Sequence, residues 1–257
     1  MNVKAKKHLG QHFLTDENIA KKIVEGLDFQ PYQYVLEVGP GTGVLTKYLL
    51  EKPTETYVAE IDTESIEYLK LHYQKLENKH FTGDFLKINL SDAFSGEVAV
   101  IGNFPYNISS QILFKIIENY QQIPEMVGMF QKEVAERTAA VPRTKDYGIL
   151  SVLVQAYYDV KYLFTVHENV FNPPPKVKSG VIKLTRNRKE GLEGNEILFK
   201  QIVKTGFGQR RKKLSNALKS LDIPEVLKSH AFMDKRAEEL SVEDFINFTQ
   251  EWKAAKN

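Results

Sequence analysis

The 257-residue chain contains no cysteine. That excludes disulfide staples, thiolate zinc sites, iron–sulfur ligation and a cysteine nucleophile. Long apolar runs are missing too, and nothing approaches the roughly 18 residues of a membrane-spanning helix. The richest stretch, residues 149–154, has the size of a core segment. The opening MNVKAKKHLGQHFL is charged and lacks the apolar stretch of a signal peptide, so a cytoplasmic location is expected. The six histidines form no H-E-x-x-H motif, and no metal site is expected. Net charge is also small, +2 from 35 basic and 33 acidic side chains. Taken as a sum, it gives no reason to expect a polyanionic partner. What is present suits a globular protein: 42% hydrophobic and 26% charged residues, enough for one large domain or a large one with a small companion.

The pattern along the chain predicts alternating helices and strands. Ile19, Ala20, Ile23, Val24 and Leu27 follow helical spacing over residues 16–27, with Thr15 or Asp16 as the cap. Strands are predicted at 34–38, 56–61, 80–82, 98–102 and 126–130, and helices at 44–50, 63–76 and 108–119. This alternation predicts an α/β, doubly wound, Rossmann-like sheet that binds ligands at the carboxyl ends of its strands. Residues 157–166 and 178–185 read as two further strands, an antiparallel pair. Asn172-Pro173-Pro174-Pro175 between them can be neither helix nor central strand. A polar stretch from Arg186 to Glu196 reads as a linker, which divides the chain into domains at 1–188 and 189–257. The second reads as helical, over 197–206, 210–221, 224–228 and 241–252, with Ser241 and Asp244 forming a capping box.

Two features point to a nucleoside-containing cofactor. Glu37-Val38-Gly39-Pro40-Gly41-Thr42-Gly43 joins a strand to a helix, and its glycines let the backbone approach a ligand closely. Glu60 follows 21 residues after Gly39, at the end of the next strand, where a carboxylate can accept from both ribose hydroxyls. Asp62 competes for that role and also reads as a helix cap. The G-x-G-x-G form favours S-adenosylmethionine over a nicotinamide dinucleotide. Asp84, after the third predicted strand, is placed to accept from the adenine amino group of the cofactor, or to form an Asx turn.

Asn103-Phe104-Pro105-Tyr106 follows the fourth predicted strand. An adenine amino group is a poor nucleophile because its lone pair is delocalised into the ring. Methyl transfer to it is an in-line displacement that depends on positioning. Acceptors for the two amino hydrogens draw the nitrogen toward tetrahedral geometry. The Asn103 side-chain oxygen can be one and the Pro105 backbone carbonyl the other, while Tyr106 offers a face on which an extruded base can stack. No histidine or lysine base is needed.

These residues resemble the KsgA family of ribosomal RNA adenine dimethyltransferases, and the resemblance runs nearly end to end. Leu9-Gly10-Gln11-His12-Phe13-Leu14 is similar to the family's N-terminal cofactor motif, with His12 where some members have asparagine. The resemblance implies that His12, Leu14, Gly39, Gly41, Glu60, Asp84 and Asn103 contact S-adenosylmethionine. The tetrad resembles the family's N-L-P-Y, with Phe104 in place of leucine. Residues 171–179 resemble the F-x-P-x-P-x-V-x-S motif, which implies that Phe171 closes an aromatic sandwich with Tyr106. Residues 206–214 resemble a helix start of the family's C-terminal domain; the Erm methyltransferases of large-subunit RNA share the other motifs but not usually this Q-R-R-K-x-L stretch. The implied activity is four methyl transfers to two adjacent adenosines near the 3′ end of 16S RNA, in the small subunit or its precursor, by a monomer with a role in subunit maturation.

Charge distribution agrees with an RNA partner where the sum did not. Residues 172–189 carry six basic side chains and no acidic one, and residues 200–221 seven and none. Lys176, Lys178, Arg210, Arg211, Lys212 and Lys213 are the expected phosphate contacts. On a helix, Arg210, Lys213 and Ala217 would share a face, as would Arg211 and Leu214. Residues 51–125 hold twelve acids against six bases, which offsets the total. The rival readings are a DNA adenine methyltransferase, a non-catalytic RNA-binding factor on the same fold and, more distantly, a nicotinamide dehydrogenase.

Overall fold

The computed structural model describes residues 3–256. Its strands are β1 (Phe13–Leu14), β2 (Tyr34–Val38), β3 (Glu55–Ala59), β4 (Val98–Asn103), β5 (Glu125–Gln131), β6 (Tyr158–Val166), β7 (Phe171–Asn172) and β8 (Ser179–Arg186). Its α-helices are α1 (Glu17–Val24), α2 (Thr46–Leu49), α3 (Thr63–His72), α4 (Leu90–Ala93), α5 (Ser109–Glu118), α6 (Lys132–Ala139), α7 (Ile149–Gln155), α8 (Glu196–Gly208), α9 (Leu214–Ala217) and α10 (Val242–Ala254). The chain forms two compact units, one from 1–135 and 159–186, the other from 136–158 and 187–257.

In the first unit six strands lie in the order β3-β2-β4-β5-β8-β6. β3, β2, β4 and β5 are parallel, and β8 runs antiparallel to β5. Val35, Leu36, Val100 and Ile101 are wholly buried, as strands covered on both faces should be. The order reverses at β2: β3 lies on one side of it and β4 on the other. The loops after β2 and β4 therefore meet at the carboxyl end of the sheet, where doubly wound folds hold ligands. The predicted strand at 80–82 is reduced to one parallel bridge, Val58 to Phe81. A 3₁₀ turn over Asn78–His80 precedes it and Gly83, at φ +76°, turns the chain away. The helix predicted to residue 76 stops at His72, because Tyr73 turns its hydroxyl onto the carbonyls of Thr42 (3.2 Å) and Gly43 (2.9 Å).

The second unit is helical. Phe199, Ile202, Val203, Leu214, Leu218, Phe245, Phe248 and Trp252 are buried in it. Ser241 caps α10 as expected: its hydroxyl accepts from the Asp244 N–H (3.0 Å) while the Asp244 carboxylate accepts from the Ser241 N–H (2.8 Å). Segment 136–158, assigned by sequence to the first domain, clusters with this unit instead. Its apolar stretch is α7, with Val152 and Val154 fully buried. The helix expected over 210–221 is replaced by a short one at 214–217. Residues 210–213 lie outside it because Lys213 bridges Arg236 and the Leu214 N–H donates to the Lys235 carbonyl (2.8 Å). Arg210 and Lys213 therefore share no helix face with Ala217, nor Arg211 with Leu214.

Candidate active site

The loop after β2 needs its glycines. Gly41 (φ +55°) and Gly43 (φ +81°) are left-handed, and a Cβ would sit 2.7 Å from Phe13 Cε1 at the first and 2.5 Å from Tyr73 Cε2 at the second. Glu60, at the end of β3, is buried, and its carboxylate accepts from the N–H groups of Ile61 (2.8 Å), Asp62 (2.9 Å) and Gly41 (3.3 Å). Burial raises its carboxyl above the usual range against the pull of these three donors. Glu60 and Asp62 differ in what surrounds them. Asp62 caps α3, accepts from Ser65 Oγ (3.0 Å) and from Gln11 Nε2 (3.3 Å), and pairs with Lys6. It ties the N-terminal segment across the site, while Glu60 lines the cavity beneath.

Two residues before the loop, Glu37 is fully buried on β2 and accepts from Thr46 Oγ1 at 2.5 Å. Burial, helped by the nearby Glu60 charge, pushes its carboxyl up to about 8 from the ordinary 4.5. Between those values the folded chain keeps a proton that the unfolded chain has lost. Stability therefore falls as pH rises through the window, by at most about 1.4 kcal/mol per pH unit. Glu37→Gln is expected to remove that slope in thermal melts followed from about pH 5 to about pH 8. Parallel profiles for the two proteins would contradict it.

Asn103 ends β4 with its side-chain amide fixed. Nδ2 donates to the His12 carbonyl at 2.8 Å, which leaves Oδ1 as the open acceptor. Phe104 turns inward and is buried against Phe130, with ring centroids 4.8 Å apart. Its larger ring fits where the family has leucine because two strand glycines make room. A Cβ at Gly128 would lie 2.0 Å from Phe104 Cε2, and one at Gly102 3.0 Å from Cε1. The Pro105 carbonyl accepts from the Ile108 N–H (3.3 Å) and Ser109 Oγ (3.5 Å). The Phe104 carbonyl takes no hydrogen bond among the described residues. The Tyr106 hydroxyl is bonded to Ser179 Oγ, and burial raises its pKa. His12 stands against the Tyr106 ring (centroids 5.4 Å) and donates from Nδ1 to the Pro173 carbonyl (2.8 Å).

His12, Gly39, Gly41, Glu60, Asn103, Pro105 and Tyr106 thus line one cavity. A second, of about 720 Å³, shares His12 and Tyr106 with it and extends along Pro173, Pro174, Pro175 and Lys176. Three expected residues stand elsewhere. Leu14 and Phe171 pair in the β1–β7 ladder and are buried in the core, so Phe171 does not line either cavity. Asp84, which lines neither cavity, forms an Asx turn by accepting from the Leu86 N–H at 3.0 Å. Among the basic residues, Lys176, Lys178, Arg211 and Lys212 are exposed. Arg210 is engaged by Glu238 (2.6 Å) and the Thr144 carbonyl (3.0 Å), and Lys213 by Asp234 (2.9 Å). In the acid-free stretch Lys183, Arg186 and Arg188 likewise pair with acids from other segments. Sequence reasoning placed Ser179 in the proline motif without a role and missed the strap anchored by Lys6; neither spacing nor composition signals a partner so distant in the chain.

Residues 2–254 match the sequence profile of ribosomal RNA adenine dimethylases. The chain belongs to that family. It is similar to the ribosomal RNA small subunit methyltransferase A of Flavobacterium johnsoniae, at 59% identity over 98% of this chain and 97% of the relative. The counterpart from Cytophaga hutchinsonii is 57% identical over 96% of each chain. Among solved structures, a dimethyladenosine transferase from Plasmodium falciparum superposes with a TM-score of 0.83 at 26% identity, over 95% of this chain and 98% of that one. The 23S rRNA methyltransferase ErmE shares the fold, with a TM-score of 0.68 at 24% identity over 94% and 99%. This ribosomal RNA adenine dimethylase therefore carries its tetrad and glycine loop on the fold of its relatives, with the Phe104 change absorbed by Gly102 and Gly128.

Proposed function

We propose that this dimethylase transfers methyl groups from S-adenosylmethionine to the N6 amino groups of two adjacent adenosines near the 3′ end of 16S ribosomal RNA. It would act as a cytoplasmic monomer on the small subunit or its precursor, with a part in subunit maturation. The names of the bacterial relatives support the small-subunit substrate. The observation that carries the chemistry is the Asn103 amide, held through Nδ2 so that Oδ1 is left open at a cavity shared with Glu60 and Tyr106.

The residues present fit S-adenosylmethionine. Glu60 offers an oriented carboxylate for a ribose diol, the loop leaves no Cβ at Gly39 or Gly41, and Ile61, 56% exposed, offers an apolar surface for a purine. When bound, S-adenosylmethionine supplies an electrophilic methyl group on a sulfonium. The protein's task is then positioning. Asn103 Oδ1 accepts one hydrogen of the target amino group. The Phe104 carbonyl accepts the other, one residue earlier than the Pro105 carbonyl expected from sequence, which is engaged by the following turn. Both acceptors favour a tetrahedral nitrogen with its lone pair free to attack. Tyr106, its hydroxyl tied down, presents its ring to the base.

RNA phosphates are assigned to Lys176 and Lys178 on the proline loop and to Arg211 and Lys212 in the helical unit. Arg210 and Lys213 are left out because their charges are already met. Reversing Arg211 and Lys212 to glutamate is expected to weaken RNA binding about tenfold or more, and to lower the salt slope by roughly one per lost phosphate contact. Filter binding across a salt series checks this beside calorimetry of the cofactor, whose affinity should not change. Equal loss of both affinities would point to misfolding and against the assignment.

A further inference from the structure

Gln131 is the last residue of β5 and lines the larger cavity together with Tyr106, Pro173, Pro174 and Lys176. Its position is fixed by two registers. In the antiparallel ladder it lies directly opposite Ser179, and directly opposed residues put their side chains on the same face of a sheet. Ser179 Oγ is bonded to the Tyr106 hydroxyl, so Gln131 stands on the Tyr106 side. In the parallel ladder Met129 is opposite Asn103, and its carbonyl accepts from the Phe104 N–H at 3.1 Å. Gln131 is thus two residues, about 6.6 Å, further along the strand than the level of the Asn103 amide. A glutamine side chain leaning back along the strand can cover that spacing and reach a ring nitrogen beside an amino group held at Asn103. Among the described residues no hydrogen bond occupies the Gln131 amide.

The chemistry of the target defines what a residue there can do. Once Asn103 and the Phe104 carbonyl take both N6 hydrogens, the rim of adenine offers only acceptors, the ring nitrogens. A glutamine amide is an uncharged side chain that can donate to one of them. Resting on the proposed function, we propose that Gln131 is a specificity-determining residue whose amide N–H donates to a ring nitrogen flanking the target amino group, N1 or N7. A guanine placed in the same way sets its O6 against two acceptors, and a hydrogen on N1 would oppose the Gln131 donor. Buried polar groups left unpaired are what make such rejection strong.

Base analogues test this, using RNA in the assembly state on which the wild-type enzyme works. The target adenosine is replaced by 1-deazaadenosine or 7-deazaadenosine, and kcat/KM is compared for wild type, Gln131→Ala and Gln131→Glu. One analogue is expected to cost the wild type about tenfold. Gln131→Ala and Gln131→Glu should lose a similar factor on ordinary adenosine and nothing more on that analogue, with cofactor affinity and melting temperature unchanged. Wild-type rates for Gln131→Ala on adenosine would overturn the inference, as would losses that multiply with both analogues, the pattern of a structural role. Failure of the wild type to methylate unmodified adenosine would overturn the proposed function along with it.

Discussion

Asn103→Ala is expected to lower methyl-transfer turnover by about 10²–10³-fold while the protein still folds and binds RNA. The size follows from where the interaction acts. A hydrogen bond that strengthens only as the amino nitrogen becomes tetrahedral lowers the barrier without tightening the ground state. Asn103 Oδ1 is available for that purpose because Nδ2 is already committed to the His12 carbonyl. The alanine variant loses both contacts, so some loosening of the N-terminal segment accompanies the catalytic loss. Asn103→Asp separates the two, since it keeps an acceptor and loses the donor that faces His12. It should retain more turnover than alanine. Single-turnover rates at saturating cofactor, beside filter binding and thermal melts, distinguish these effects. Near-normal turnover in Asn103→Ala would remove the acceptor argument.

Glu60→Ala is expected to weaken S-adenosylmethionine binding about 100-fold, with much of the turnover recovered at saturating cofactor. Hydrogen bonds to a charged group contribute about 1.5–3 kcal/mol each, and a ribose diol offers two. The full sum is not expected, because burial raises the Glu60 carboxyl and three backbone donors already share its oxygens. Those same donors, on Gly41, Ile61 and Asp62, lose their acceptor in the variant, so its melting temperature should fall as well. Glu60→Gln keeps one side-chain oxygen and should fall between. Calorimetry of cofactor binding reads the difference, and an unchanged Kd for Glu60→Ala would transfer the ribose role to another residue.

Local signals made the centre of this site legible in the sequence. The glycine loop, Glu60 and Asn103 each sit at the end of a strand whose apolar run announces it, and β2, β3 and β4 bring those ends together. The misplacements share a different cause. Phe171 and Leu14 face the core because two short strands pair across more than 150 residues, a contact that no local pattern records. A pairing beyond any local window also produces the bridge from Lys213 to Arg236, which keeps a strongly helical-looking basic stretch out of helix. Charge counting had the opposite weakness. The acid-free stretches are real in sequence, but Lys183, Arg186, Arg210 and Lys213 meet acids supplied from elsewhere in the fold. Phe104 stood out as a departure from leucine, yet its accommodation was written in Gly102 and Gly128, whose meaning depends on β4 and β5 being neighbours.

The central claim is tested most directly by substrate choice. Small and large ribosomal subunits lacking the modification are incubated with the protein and labelled S-adenosylmethionine, and the methylated base is mapped by mass spectrometry. The account predicts label in the small subunit alone, as N6,N6-dimethyladenosine at two adjacent positions near the 3′ end of its RNA. Label confined to the large subunit, or methylation at an atom other than N6, would contradict it.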